Sequence, residues 1–331
     1  MRSVFLLLSA TTVLGSPLLA DPLRDAAFEY FAPLPATAPE IDGNLTSPEK
    51  LALGQALFFD TRISSTGKMS CASCHDLAKA GQDGLVTPVL IDGTQGLRNT
   101  LTVLNHSLNE TYFWDGRDVD IAAMPAISAE RGITMLNTPE AANAAIKAVS
   151  GYAVLYAAAF AGDADPITPE HTAQALEIFV HSLSTPSPFD AWLLGDDAAL
   201  TDAQKAGLSA FISRGCSFCH FGPALGGTGY YPLGLIELPG VDVLAADEIA
   251  AKAANDPGAG EFIFRTAPLR NVALTAPYFH SGKIADLATA VDVMAAGQLG
   301  SPLDPAETAS IVAFLESLSG TMPEIATPTL P

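Results

Sequence analysis

Positive charge is scarce in this chain. Its 331 residues include 16 Lys or Arg against 36 Asp or Glu, a formal net charge of −20 at pH 7. A surface this acidic is unsuited to phosphates, which removes nucleic acid from the partners to consider. Charged residues of both signs make up only 16% and hydrophobic residues 49%, so a disordered chain is excluded as well. There are only four cysteines. All four sit in two short words, leaving none for a structural disulfide. Runs of β-branched residues are few and Ala is abundant, which points to a mainly α fold with little β structure. Beyond the first 20 residues no stretch is apolar enough to span a membrane. The length suffices for two domains, each with its own core.

The two words are Cys71-Ala72-Ser73-Cys74-His75 and Cys216-Ser217-Phe218-Cys219-His220. Each has the form of a c-type haem attachment site. Two cysteines three apart reach the two vinyl groups of one porphyrin and bond them as thioethers. The adjacent His then lies under the iron as proximal ligand. Two CxxC pairs would also suit zinc or a redox dithiol. Neither needs a His after each pair, and the chain has only six. Two covalent haems are therefore expected, one on Cys71, Cys74 and His75, the other on Cys216, Cys219 and His220. Haems replacing part of the core agree with a loop-rich chain of 24 Pro and 27 Gly.

Met1 to Ala20 reads as a signal peptide, with Arg2 in the positive segment, an apolar run from Val4 and a cleavage site at Leu18-Leu19-Ala20. The run is short for a membrane anchor, and Gly15-Ser16-Pro17 breaks it. Thioether attachment takes place outside the bacterial cytoplasm. Both signals thus place the mature chain in the periplasm, without a membrane span after cleavage. There its acidity would steer a basic redox protein towards it at low salt, although solubility alone explains the same charge.

Asp21 to Asn44 is Pro-rich and is expected to be extended. Ser47-Pro48-Glu49 opens a helix, with Ser as cap and Pro in the first turn. Thr138-Pro139-Glu140 opens another, stopping near Gly151, and Thr168-Pro169-Glu170 a third, running to about Ser184. Pro186-Ser187-Pro188 marks a boundary between cytochrome c-like domains at 21–185 and 186–331. Thr201 to Gln204 is a capping box whose helix ends before the second haem word. Ser47 to Cys71 and Thr201 to Cys216 thus follow one plan, a capped helix and then a CxxCH. A helix over Asp286 to Ala296 and one capped by Asp304 and buried through Phe314, Leu315 and Leu318 complete the chain.

The sixth ligand of each iron decides its use. A thioether closes the site for electron transfer; an open position admits peroxide or oxygen. For the second iron the sulfurs are Met294, on a helix downstream as in small c-type cytochromes, and Met322, in a Pro-rich tail. Met294 is preferred. For the first, Met124, Met135 and His106 remain alternatives. His171 and His181 fall on different faces of one helix and read as structural.

Leu53-Gly54, Leu57-Phe58-Phe59-Asp60, the two CxxCH words, Phe113-Trp114-Asp115-Gly116-Arg117 and Leu269 to Gly282 together resemble the bacterial di-haem cytochrome c peroxidases and the related MauG-type enzymes. The resemblance covers nearly all of the mature chain. It implies a peroxide-binding haem at Cys71 and Cys74 and an electron-accepting, higher-potential haem at Cys216 and Cys219, with Trp114 between them. It implies Met294 as axial ligand, fourteen residues after His280, where MauG-type enzymes carry Tyr. It implies one Ca²⁺ held by Asn99, Thr275 and Pro277, hard oxygen donors of the kind calcium takes. The implied partners are hydrogen peroxide and a small electron donor, a cytochrome c or cupredoxin. Many members are dimers, and a homodimer is a further expectation.

Three positions depart from the family. Counting from Trp114, the peroxidases carry a His 23 residues earlier, a Gln ten later and a Glu twenty later. This chain has Ile91, Met124 and Thr134. In many members the His blocks the peroxidatic iron until the other haem is reduced, so Ile91 implies an open site. A proton carrier at the bound peroxide contributes roughly 10²–10⁴-fold, and Thr134 is no carboxylate. With a four-residue gap after Met124, Glu130-Arg131-Gly132 matches the family's Glu-Met-Gly, making Glu130 the candidate acid. Met124 could instead close the first iron. The reading is a periplasmic di-haem peroxidase. The alternatives are a di-haem electron-transfer protein without peroxidase activity and a MauG-like oxidase modifying a partner protein.

Overall fold

The computed structural model describes residues 21–117, 138–240, 242–244 and 262–331. The leader Met1 to Ala20 and four candidate pocket residues, Met124, Glu130, Thr134 and Met135, lie outside the described residues.

The described chain is mainly helical. Its helices are α1 (Pro22–Phe28), α2 (Pro48–Phe59), α3 (Pro139–Lys147), α4 (Ser150–Ala159), α5 (Pro169–His181), α6 (Pro188–Leu193), α7 (Asp202–Ser213), α8 (Leu287–Met294) and α9 (Pro305–Glu316). Among the described residues the sheet is one antiparallel pair, β1 (Tyr230–Pro232) with β2 (Ile263–Arg265). Helix starts follow their side-chain caps. Ser47 accepts from Lys50 N, Thr168 from His171 N, and Asp304 from Ala306 N and Glu307 N. Thr201 and Gln204 form the reciprocal box expected of them. Proline stands in the first turn of α1, α2, α3, α5, α6 and α9, where its missing N–H costs no hydrogen bond.

Two apolar clusters carry the helices. In the first unit α2 crosses α5, burying Leu53, Leu57, Tyr152, Tyr156 and Ala175. In the second α7 crosses α9, burying Leu208, Phe211, Ile311, Phe314 and Leu318. Both crossings need a glycine. A Cβ on Gly54 would collide with the carbonyl oxygen of Ala175, and one on Gly207 with that of Ser310.

The chain ends are exchanged between the units. Ala27 and Phe31, from the N-terminal arm, pack in the second cluster beside Phe189 and Trp192. Leu330 packs against the first cluster, and Met322 and Ile325 against its neighbour around Phe58 and Leu183. Arg270 fastens the arm and α6 to the second unit. It lies 3% exposed, pairs with both oxygens of Asp190 at 2.7 and 2.8 Å, and donates to Pro223 O. Asp190 also accepts from Leu34 N at 2.7 Å and Ser187 N at 2.8 Å.

Three local expectations are corrected. The arm is not wholly extended: Asp21 caps α1, with Pro22 in its first turn. Gly151 does not stop a helix. The break falls at Ala148 and Val149, and Gly151 lies inside α4, where a side chain would strike Pro331. The helix over Asp286 to Ala296 is α-helical only through Met294; Ala295–Leu299 then widens into a π turn.

A second internal repeat, 166 residues apart, runs through the loops. Asn105 and Asn271 both take left-handed backbone, φ +55° and +63°, and each starts a 3₁₀ turn. Phe113 and Phe279 match at +65° and +66°, and Gly116 and Gly282 at +63° and +62°. Trp114 and His280 are counterparts in this register. Thr185 joins the halves: its hydroxyl accepts from Asn105 Nδ2 at 2.7 Å and from Asn271 Nδ2 at 2.8 Å.

Candidate two-haem site

One cavity of about 1100 Å³ runs through the molecule, and both cysteine words line it. Each word forms a 3₁₀ turn closed by backbone bonds, with His75 N donating to Cys71 O and His220 N to Cys216 O. This turn sets both cysteines and the histidine of each word on the cavity wall. Burial pushes the Cys71 thiol up to about 12 and those of Cys74 and Cys216 up to about 11.

The two histidines are held alike. His75 Nδ1 lies 3.3 Å from Gly81 O, and His220 Nδ1 lies 3.2 Å from Leu225 O. Burial lowers the basicity of both, His220 to about 4. Each is a neutral imidazole whose Nδ1–H is held by a carbonyl, which leaves Nε2 as the ligating nitrogen.

Met294 and His220 line the same cavity. Met294 ends α8 where the π turn begins, the kind of local widening that often marks a functional position. Gln298 ties this turn to the preceding loop through Pro232 O at 3.0 Å and Leu235 N at 3.1 Å. Met322 packs against Phe58 and Leu183 in the first unit instead. For the first word, His106 lines the cavity, whereas Ile91 does not; its neighbours Val89 and Leu90 do. Met69 is a further cavity sulfur, which sequence spacing did not single out. His171 stacks on Phe160 at 3.8 Å, in keeping with a structural role.

Trp114 belongs to the first half of the chain but packs against the Leu233 and Phe264 cluster of the second, as does Met294. Its indole N–H donates to Asn99 O at 2.9 Å, and Asn99 N donates to His280 O at 2.8 Å. His280 is 2% exposed, stacks on Phe264 at 4.3 Å and meets Trp114 edge-on at 6.2 Å. Spacing to Met294 does not reveal a role for His280; the 166-residue repeat does, as the counterpart of Trp114. Asn99 lines the cavity, as do Thr275 and Pro277 from the second half of the chain. Asn99 Nδ2 donates to Leu85 O at 2.9 Å, which turns its side-chain oxygen the other way.

These residues fit two haems. Arg265 is 4% exposed, lines the cavity and makes no ion pair among the described residues. Its hydrogen bonds go to Phe113 O and Asn109 Oδ1. A buried cation without a carboxylate is costly, and an anionic substituent of a bound group would compensate it.

Comparison with known proteins agrees with this geometry. The family model described as "Di-haem cytochrome c peroxidase" matches residues 48–198. The cytochrome c551 peroxidase of Pseudomonas aeruginosa is 41% identical over 327 residues, covering 98% of this chain and 94% of that protein. The methylamine utilization protein MauG of Methylorubrum extorquens is 32% identical over 319 residues, covering 90% and 86%. Among solved structures, a MauG-like protein associated with microbial copper homeostasis superposes with a TM-score of 0.75 at 25% identity, covering 89% of this chain and 98% of that one. With identity at this level over nearly the whole length, the chain belongs to the family of di-haem cytochrome c peroxidases and MauG proteins, and is an oxidoreductase with two c-type haems.

Proposed function

We propose that this enzyme is a periplasmic peroxidase that reduces hydrogen peroxide to water with electrons from a small cytochrome c or cupredoxin. The observation that carries the reading is one cavity lined by both cysteine words and by Trp114. When bound, the haems supply one-electron chemistry at iron and, at an open sixth position, a place for peroxide.

The chain's own residues do the rest. Cys71 and Cys74 hold one haem and Cys216 and Cys219 the other. His75 and His220, each fixed through Nδ1, present Nε2 to an iron. Met294 would be the second protein ligand of the haem at Cys216 and Cys219, which would suit that unit to accept electrons from outside. Trp114 and His280 form a fixed aromatic contact at 6.2 Å inside the second unit's cluster. The hydrogen bonds through Asn99 lock that contact. Asn99, with the carbonyls of Thr275 and Pro277, would hold a calcium ion, which would stiffen the same junction. At the first unit the proton moved within peroxide is carried by Glu130, on the segment that also bears Met124 and Thr134.

Steady-state oxidation of reduced cytochrome c by peroxide tests the reading. We expect turnover by the holoenzyme, its loss in Glu130→Gln, and a reduced rate in Trp114→Phe with both haems still bound. Absence of turnover with cytochrome and cupredoxin donors alike would refute the peroxidase and leave an electron-transfer protein. A mass change in a neighbouring protein after peroxide treatment would point to a MauG-like oxidase.

A further inference from the structure

The two halves repeat one loop, and one residue breaks the repeat inside the cavity. Asn105 and Asn271 share left-handed backbone, and each is followed by a 3₁₀ turn. The first residue of that turn lines the cavity in both units. In the second unit it is Val272, an apolar side chain on an apolar wall. In the first it is His106. Its ring lies against Tyr112 at 4.2 Å, and its Nδ1 is buried without a hydrogen-bond partner among the described residues.

A second imidazole stands close by. His181, the last residue of α5, has both ring nitrogens buried without a partner among the described residues. Its proximity is one of the influences that hold His106 neutral, after burial itself. The other groups facing His106 are His75 and Arg265. None of them makes a hydrogen bond to its Nδ1. Buried polar groups in folded proteins are nearly always hydrogen-bonded, and exceptions on a cavity wall point to the group the cavity binds. A haem offers two kinds of polar partner, its iron and its carboxylates. His75 already provides the imidazole for the first iron.

We propose that His106, backed by His181, donates a hydrogen bond to a carboxylate of the haem held at Cys71 and Cys74. The second haem lacks this bond because Val272 occupies the matching position. The inference rests on the first word being a haem site, and it is independent of peroxidase activity. A hydrogen bond to the carboxylate disperses negative charge near the iron and favours the reduced state, so it sets the first haem apart from the second.

The test is a spectroelectrochemical titration of the purified di-haem protein and of three variants. In His106→Val, which copies the second unit, the first haem should become about tenfold harder to reduce, about 59 mV for one electron. The second haem should be unchanged. His106→Gln keeps an N–H donor and should retain most of the wild-type potential. His181→Leu should lower the first potential by a smaller amount, and it remains a test if His106→Val fails to load haem. An unchanged first potential in both His106→Val and His181→Leu would overturn the proposal. So would conversion of the first haem from low to high spin in His106→Val, which would make the imidazole an iron ligand. Haem content measured on the same samples separates these outcomes from the failure of the first word to bind haem.

Discussion

Replacing Arg270 with Met isolates the interaction that fastens the N-terminal arm to the second unit. The guanidinium and the Asp190 carboxylate are both nearly inaccessible, with side chains 1% and 6% exposed. Removing the cation leaves a buried carboxylate uncompensated, which costs about 3–5 kcal/mol. Adding Asp190→Leu should return only part of this. Asp190 also accepts from Leu34 N and Ser187 N, and each lost bond costs about 1 kcal/mol or more when its donor stays buried. The pH dependence has a definite sign. Burial alone would raise the Asp190 pKa, but the charge and hydrogen bonds of Arg270, Ser187 and Leu34 outweigh it and hold the carboxyl below its usual value. Its contribution is therefore complete above the unfolded value, about 3.9, and is lost as the pH falls through the folded one. In Arg270→Met the burial effect is left without its counterweight from arginine. The folded carboxyl then titrates higher, and the variant's deficit shrinks as the pH is lowered. Urea unfolding of the holoprotein between pH 4 and 7, followed by circular dichroism, measures both effects. A loss below about 1 kcal/mol at pH 7, or a deficit that grows on acidification, would refute the reasoning.

Gly207→Ala should push α7 from α9 and cost about 3 kcal/mol or more, because the new methyl meets the Ser310 carbonyl rather than a side chain that can yield; a melting temperature equal to wild type would contradict this. Tyr152→Phe removes a 2.7 Å hydrogen bond to the buried Asp60 carboxylate and should cost about 1.5–3 kcal/mol, read from urea unfolding. Met294→Leu should leave the second haem attached but convert it from low to high spin, visible by electron paramagnetic resonance, while Met322→Leu should leave both spectra unchanged. Washing with a calcium chelator should lower the melting temperature of the holoprotein, and Asn99→Ala should abolish that response.

What the sequence made legible was chemistry that works over a few residues. The thioether pair and its histidine need fixed short spacing, so both words stand out unaided. The same holds for the caps at Ser47, Thr168, Thr201 and Asp304, where the side chain and the N–H it accepts lie two or three positions apart. Relations made by tertiary packing were harder to see. Gly54 and Gly207 are required by helices more than 100 residues away, and nothing local distinguishes them from loop glycines. Met294 is preferred over Met322 for its place on a helix, but only packing shows that the tail folds back and sets Met322 against Phe58. Pro22 made the first arm look extended although it sits in the one turn of a helix that tolerates it. The 166-residue repeat was readable in principle, since Tyr112-Phe113-Trp114-Asp115-Gly116-Arg117 aligns with Tyr278-Phe279-His280-Ser281-Gly282-Lys283. Only three of those six positions are identical, and the shared backbone angles show what is retained.

The crossed ends of the chain carry a consequence for how this protein can be made. The residues that cover Leu53 and Tyr152 include Leu330, and Arg62 donates to the carbonyl of Pro331 at 3.1 Å. The unit built from the earlier sequence therefore stays unfinished until Leu330 and Pro331 are synthesised, while Ala27 and Phe31 wait for their seat beside Trp192. A cut between residues 185 and 186 would yield two pieces, each carrying the other's closing strap. Separately expressed halves should accordingly be sticky and poorly folded, yet recover when mixed, because each brings the segment its counterpart lacks.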